Sequence, residues 1–178
     1  MKRRLKLDLD DPAFAFEDAS TEAANYLDLD TGEVVRVSDE IQQELERLYE
    51  ELNGVEDEDQ SAFATALQCR ALPDWMKEAI QEADQVEAGY GSRYVRVPTL
   101  ESSEGYQIMA DFIPTVGDRR LQGLLELAIR GRGAFRRFKD VLAEYPRERE
   151  RWFAFHDARL RELALRWLEL EEIEPIAE

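Results

Sequence analysis

Apolar residues recur at spacings of three and four throughout the chain after Pro98, which restricts this part of the molecule to packed amphipathic helices. The pattern predicts helices over about 103–113, 118–130, 133–145 and 146–173. Leucines occupy most sides of the second helix, so we expect that helix to be buried. The stripe on the last helix contains Phe153, His156, Leu160, Leu163, Trp167 and Leu170. A stripe of this spacing serves either an intramolecular core or a dimer seam, and we favour the core.

The first hundred residues mix strands with helices. β-Forming residues on both sides of Asp30-Thr-Gly-Glu33 predict a hairpin over about 25–37, in which Gly32 takes a positive φ. A further strand is predicted over about 93–97, and residues 9–19 fit either a short helix or an irregular lead-in. The sequence therefore predicts a helix-dominated α+β fold, with a small antiparallel sheet in the N-terminal half and a helical bundle in the C-terminal half.

Start and stop signals predict two helices between the hairpin and the further strand. Ser38 and Asp39 favour the start of the first helix, and Asn53-Gly54 favours its end. An acidic loop follows over 56–59, and the second helix is predicted over about 73–89.

Charge is distributed unevenly along the chain. The 178 residues carry 40 acidic and 23 basic side chains, a net charge of −17. Residues 1–118 contain 28 acids and 10 bases, whereas residues 119–178 contain 12 acids and 13 bases. We predict one domain over 1–178, made of an acidic α+β half over 1–100 and an all-helical half over 101–178 with a basic patch. The two halves either bind each other or face different partners, and the simplest interpretation of the acidic surface is a solvated face.

The residues that carry most enzyme chemistry are scarce in this sequence. His156 is the one histidine and Cys69 the one cysteine, which excludes an internal disulfide and histidine-rich metal sites. We interpret His156 as a core residue, and Cys69, in a segment that we assign to no element, as a semi-buried thiol. Asp28 and Asp30 are interpreted as part of the hairpin rather than as a cation site. We expect no cofactor, no metal and no catalytic residues. Enzymatic activity stays open mainly because carboxylates from distant segments can come together.

The most informative motif is Arg130-Gly-Arg-Gly-Ala-Phe-Arg-Arg-Phe-Lys139. Gly131 favours the end of one helix and Gly133 the N-cap of the next, which predicts a tight helix–helix turn. The simpler interpretation is a structural turn whose cations pair with the protein's own carboxylates. The alternative is a site for an anion or phosphate, because free N–H groups at a helix start lie among guanidinium groups. The candidate binding residues are Arg130, Arg132, Gly133, Arg136, Arg137 and Lys139.

Several blocks of sequence occur in the same order as in a known protein family. They are Tyr26–Val35, Arg93–Pro98, Met109–Ile113, Gly131–Leu142, Trp152–Phe155 and Trp167-Leu168. In these blocks the chain resembles the bacterial uncharacterised protein family (UPF) 0158 over about residues 9–173. The resemblance implies a bacterial cytosolic protein of unassigned activity, and it supplies no catalytic or binding residues.

These observations predict a non-catalytic cytosolic interaction or regulatory module, in which either the acidic N-terminal half or the basic helical half docks a partner protein. The alternative is nucleic-acid or phosphoryl-ligand binding through residues 130–139, which the net negative charge opposes at long range. A third hypothesis is an acidic DNA mimic that occupies a DNA-binding protein. Since no apolar run reaches the length of a membrane span, we expect a cytoplasmic protein that contacts no membrane. We also expect a monomer or a weak homodimer.

Overall fold

The computed structural model of the chain describes residues 2–18, 20–52 and 60–176. In chain order the elements are β1 (Arg3–Lys6), α1 (Asp10–Glu17), β2 (Ala23–Asp28), β3 (Val34–Ser38), α2 (Asp39–Leu52), α3 (Gln60–Cys69), α4 (Asp74–Ala88), β4 (Tyr94–Arg96), α5 (Ser102–Phe112), α6 (Arg119–Ala128), α7 (Ala134–Ala143), α8 (Pro146–Leu170) and β5 (Ile173–Ile176). The α+β fold class is confirmed. The predicted helix end at Asn53-Gly54 and the predicted acidic loop over 56–59 lie outside the described residues.

The chain divides into two compact units. Among the described residues, the helical unit consists of 2–4, 9–18 and 99–175, and the sheet unit consists of 5–8, 20–52, 60–98 and 176. Each unit has a hydrophobic core of its own. The grouping of residues 1–178 into one domain stays a prediction.

The sheet unit contains three antiparallel strands in the order β3-β2-β4. Tyr26 on β2 lies opposite Val35 on β3 and opposite Arg96 on β4, which confirms the predicted hairpin and the predicted third strand. The turn between β2 and β3 contains Gly32 at φ +82°. A Cβ atom at this position would lie 1.9 Å from the backbone carbonyl oxygen of Lys6, so both the φ angle and the close approach require glycine.

Helices α2, α3 and α4 complete the core of the sheet unit. Helix α2 begins as predicted, since the Ile41 N–H donates a hydrogen bond of 3.4 Å to the Ser38 hydroxyl. Its buried side chains Ile41, Leu45 and Leu48 follow the predicted stripe. Helix α3 is absent from the sequence-based prediction, which assigned no element to the segment around Cys69.

Aromatic rings form the centre of the helical unit. The ring centroid of Trp152 lies 5.3 Å from that of Phe112 and 4.7 Å from that of Phe138, in edge-to-face geometry. These three rings join α5, α7 and α8. Helix α1, one of the two alternatives left open for residues 9–19, belongs to the same unit and brings Phe16 within 6.1 Å of the Trp167 ring.

The expectation that α6 is buried on most sides is wrong for two leucines. Leu121 and Leu125 are fully buried, but Leu124 is 39% exposed and Leu127 is 61% exposed. Successive helical residues differ by about 100°, which places Leu124 about 70° and Leu127 about 130° from the centre of the buried face. That face is formed by Leu121, Leu125 and Ala128. The exposure of each leucine increases with its angle from the buried face.

The last helix also differs from its prediction. It ends at Leu170 rather than at 173, and the chain then forms β5, which pairs with β1 in a two-stranded sheet. The C-terminal region is therefore not entirely helical. Phe153 and Leu170, which the sequence placed on the apolar stripe, are largely exposed, whereas Trp152 and Leu168 are buried. None of the helices in the described residues is long and apolar enough to cross a membrane.

Candidate functional site

The candidate functional site is the group of exposed cations in the α6–α7 turn and on α7. We call it the basic surface, and it consists of Arg130, Arg132, Arg136, Arg137 and Lys139. All five side chains are exposed. The three that lie on α7 point away from its buried residues Ala134, Phe138 and Leu142. The cations thus point to solvent while the apolar face of the same helix anchors it to the core.

Two glycines shape the turn beneath this surface. Gly131 has φ +74° and Gly133 has φ +75°, a region of backbone conformation that glycine adopts without a Cβ clash. Gly133 is the N-cap of α7, and no side chain caps the helix start. The turn is closed by Arg137, whose guanidinium donates a hydrogen bond to the carbonyl oxygen of Arg130. Its own N–H donates to the carbonyl oxygen of Gly133 at 3.0 Å.

Some arginines of the helical unit form close ion pairs within the fold, whereas the cations of the basic surface form none with the described residues. On α8, Arg159 lies 3.3 Å from the Asp111 carboxylate, and Arg161 lies 2.5 Å from that of Asp10. In the basic surface, the contact between Arg136 and Asp140 is 4.0 Å long between two largely exposed side chains. For the remaining four cations, no carboxylate of residues 2–18, 20–52 or 60–176 lies within ion-pair distance.

The two phenylalanines within the motif have different environments. Phe138 is fully buried and contacts the Phe112 and Trp152 rings, so it is a core residue, as its spacing indicated. Phe135 is 44% exposed, and its ring covers Gly105 on α5. A Cβ atom at Gly105 would approach that ring to 3.0 Å. Because glycine at position 105 has no side chain, the Phe135 ring can lie against α5 while part of the ring stays exposed to solvent.

Asp28 is a buried carboxylate whose partner the sequence did not reveal. The guanidinium of Arg93 donates hydrogen bonds of 2.6 and 3.0 Å to its two oxygens, and the Asp30 N–H donates another of 2.8 Å. Burial alone would raise the pKa of Asp28, but these hydrogen bonds outweigh burial and the pKa is lowered. Because Asp28 already binds a cationic side chain, its role is to join the hairpin turn to the chain just before β4.

The single histidine and the single cysteine lie away from the basic surface in sequence. His156 is mostly buried, its ring centroid is 5.2 Å from that of Trp152, and its Nδ1 is 3.9 Å from the Asp157 carboxylate, too far for a hydrogen bond. Cys69 is exposed at the end of α3, which corrects the expectation of a semi-buried thiol. The neighbouring Arg70 is paired with Glu44 at 3.1 Å, so its positive charge is compensated.

Comparison with known proteins assigns the family. The sequence profile of the family described as "Uncharacterised protein family (UPF0158)" matches residues 74–178, more than half of the chain. The chain belongs to the UPF0158 family. A UPF0158 protein of Pseudomonas aeruginosa is 27% identical over 175 residues, which covers 98% of this chain and 89% of that protein. No solved structure matches the chain.

The region matched by the UPF0158 profile contains the basic surface. It extends from the start of α4 through β5 and includes all of α5, α6, α7 and α8. The strands β2 and β3, with Asp28, precede the matched region. The resemblance found in the sequence motifs is thereby confirmed, and it extends to the motif that forms the α6–α7 turn.

Proposed function

We propose that this UPF0158 protein is a non-catalytic interaction module that binds an acidic partner protein through the basic surface. The observation that supports the proposal is that the cations of the basic surface form no close ion pair with carboxylates in the described part of the chain. The shortest such distance is 4.0 Å, between Arg136 and Asp140. The protein carries 40 acidic side chains, yet among the described residues none lies closer to these cations than Asp140. Neighbouring exposed cations repel one another, and an anionic partner relieves this repulsion when it binds.

The chemistry of the cations suits carboxylate ligands. A guanidinium group presents a planar set of N–H donors that can form two parallel hydrogen bonds to one carboxylate. The bidentate pairing of Arg93 with Asp28 is an example within this protein. Four of the five cations of the basic surface are arginines, so a partner with exposed Asp or Glu side chains can be bound by several such contacts.

The other titratable groups with shifted pKa values are paired within the fold. The pKa of Asp10 is lowered by its hydrogen bond from Arg161. The pKa of Tyr49 is raised by burial and by its hydroxyl's 2.6 Å hydrogen bond to Asp84. Together with the Asp28–Arg93 pair, each of these groups is held by a partner within the fold. Such pairs stabilise the structure, and they account for these shifted pKa values without a ligand.

A second candidate function is the binding of a nucleic acid or another phosphoryl ligand at the same surface. The observation that favours it is the start of α7, where no side chain caps the helix and the preceding Gly131 and Gly133 expose the backbone. The N–H groups of a helix start carry a partial positive charge and bind phosphate oxygens. The net charge of −17 opposes the approach of a polyanion at long range, so we rank this function second.

An affinity experiment with matched variants tests the proposal. The immobilised protein is exposed at low salt to a bacterial lysate, with and without nuclease treatment. Bound proteins are identified by mass and then titrated to obtain a Kd. The double variant Arg132→Ala/Arg136→Ala removes two cations of the basic surface. The control Arg147→Ala/Arg166→Ala removes the same charge from exposed positions of α8.

The proposal predicts a stoichiometric acidic protein that binds the control as it binds the wild type and binds the basic-surface variant about tenfold or more weakly. Retention that disappears after nuclease treatment would favour the second candidate instead. Equal binding of the two double variants would contradict both, because the basic surface would then contribute nothing beyond net charge.

A further inference from the structure

The exposed face of α6 continues the basic surface with apolar groups. Leu124 and Leu127, which we expected to be buried, are exposed, and Arg120 precedes them on the same face. These three positions lie within about 60° of one another on the helix. Arg130 follows Leu127 by three residues, at the point where α6 ends and the basic surface begins. Cations therefore flank an apolar strip of two leucines at both ends.

Gly123 lies on the same outward face of α6, and because it has no side chain it leaves the space beside Leu124 and Leu127 empty. A Cβ atom at this position would meet no heavy atom within 4 Å, and its φ lies outside the left-handed region. Neither crowding nor backbone conformation requires glycine here, although glycine within a helix costs roughly 1 kcal/mol relative to alanine. A missing side chain beside the two leucines allows another backbone to approach this face closely.

We infer that this face and the basic surface together bind an acidic amphipathic helix of a partner protein, an inference that rests on the proposed function. Leu124 and Leu127 contact the apolar side chains of that helix, while Arg120, Arg130 and Arg132 pair with its carboxylates. We call this combination the helix seat. Charge complementarity selects the partner, because residues 119–139 contain seven cations and a single acid, Glu126. An amphipathic helix laid against an apolar strip is a common mode of protein recognition.

The leucines distinguish a protein partner from a nucleic acid. Phosphate groups are bound by cations and N–H donors and gain nothing from an aliphatic side chain. Apolar side chains of a partner helix do gain binding free energy, because their contact with Leu124 and Leu127 removes exposed apolar surface from water. Substitution of the leucines alone should therefore weaken a protein helix and leave a nucleic acid unaffected.

The test uses the full chain and three labelled probes. The first is a synthetic peptide of glutamates and leucines, with the leucines on one helical face. The second has the same composition with the leucines distributed around the helix, and the third is a double-stranded oligonucleotide of equal charge, whose bases are stacked and whose phosphates are exposed. Binding is measured by fluorescence anisotropy at low salt for the wild type and for Leu124→Ser/Leu127→Ser. The control Leu165→Ser/Leu170→Ser changes two leucines that are also exposed, on α8.

The inference predicts that the amphipathic peptide binds the wild type at least about tenfold more tightly than the redistributed peptide does. It also predicts that Leu124→Ser/Leu127→Ser removes this preference, while the α8 control keeps it. Because each of the four leucines is at least 39% exposed, each variant should retain the circular dichroism spectrum of the wild type, with only a modest loss of melting temperature.

The outcomes separate this inference from the proposed function. If Arg132→Ala/Arg136→Ala weakens the peptides but the leucine variant does not, the helix seat is wrong and the basic surface stands. If neither variant changes any affinity, both are wrong. A dimer of the wild type that becomes monomeric in Leu124→Ser/Leu127→Ser would show that a second copy of this chain covers the leucines, and it would overturn the inference.

Discussion

At the scale of single residues, Asp28 shows how a buried charge can be stabilising. Its carboxylate accepts hydrogen bonds from Arg93 and from the Asp30 N–H, and Tyr94 beside it is also buried. Burial raises the pKa of Tyr94, and the negative charge of Asp28 raises it further. We predict that Asp28→Asn, which keeps the shape but removes the charge, lowers the free energy of unfolding at pH 7 by about 1–3 kcal/mol. Urea denaturation measures the change.

The same substitution has a predicted pH dependence. The pKa of Asp28 is lowered by folding, so its ionised form stabilises the native state above the unfolded pKa of about 4, and this contribution is lost as the pH falls through the lower folded value. The difference between wild type and Asp28→Asn should be constant from pH 7 to about 5 and shrink below about 4. Asp11→Asn is the control, since Asp11 is exposed and its side chain forms no ion pair within the described residues. A difference that persists unchanged at about pH 3 would contradict the assigned role.

Two glycines with similar φ angles allow the stability cost of a left-handed backbone to be measured separately from the cost of a steric clash. Gly32 has φ +82° and a neighbouring carbonyl oxygen where a Cβ would lie, whereas Gly91 has φ +77° and open space. We predict that Gly91→Ala costs about 1 kcal/mol, the strain of a left-handed residue. Gly32→Ala should cost more than about 2 kcal/mol, because the Lys6 backbone must also move. Equal losses of stability in the two variants would exclude the contact with Lys6.

At the scale of elements, α6 offers a prediction about helix propensity. Gly123 lies inside the helix with an ordinary φ and open space, so we predict that Gly123→Ala raises the stability by about 0.5–1 kcal/mol. Gly131 also has open space but a φ of +74°, so Gly131→Ala should lower the stability by a similar amount. Thermal unfolding of both variants checks the opposite signs. A stabilising Gly131→Ala would mean that the turn tolerates an ordinary φ at this position.

Elements with strong local signals could be predicted from the sequence, and elements without them could not. The hairpin had a glycine turn between β-forming residues, and α2 had a capping serine with regularly spaced leucines. Strands β1 and β5 have four residues each and pair across almost the whole length of the chain, so no local pattern marks them. Helix α3 lacks charged residues in its first and last turns, and its start was therefore not recognised.

At the scale of the whole molecule, the candidate site could be predicted in part. The Arg130–Lys139 segment was recognised from its glycines and cations, and the turn lies where those glycines indicated. The sequence could not reveal which arginines find a carboxylate, because the partners of Arg159 and Arg161 are Asp111 and Asp10, far away in the chain. Nor could it reveal that Leu127 is exposed, since the direction of α6 toward the core depends on packing against its neighbours.

The excess of negative charge leads to a last prediction for the whole molecule. The net charge of −17 means that the excess acidic side chains repel one another in the compact state. Salt weakens this repulsion, because the screening length falls from about 30 Å at about 10 mM to about 8 Å at 150 mM. We therefore predict that the melting temperature at pH 7 rises over this range. The variants Arg132→Ala/Arg136→Ala and Arg147→Ala/Arg166→Ala each change the net charge to −19, and both should show a steeper rise than the wild type. A melting temperature that falls with salt would mean that attractive pairs such as Arg161–Asp10 outweigh the overall repulsion.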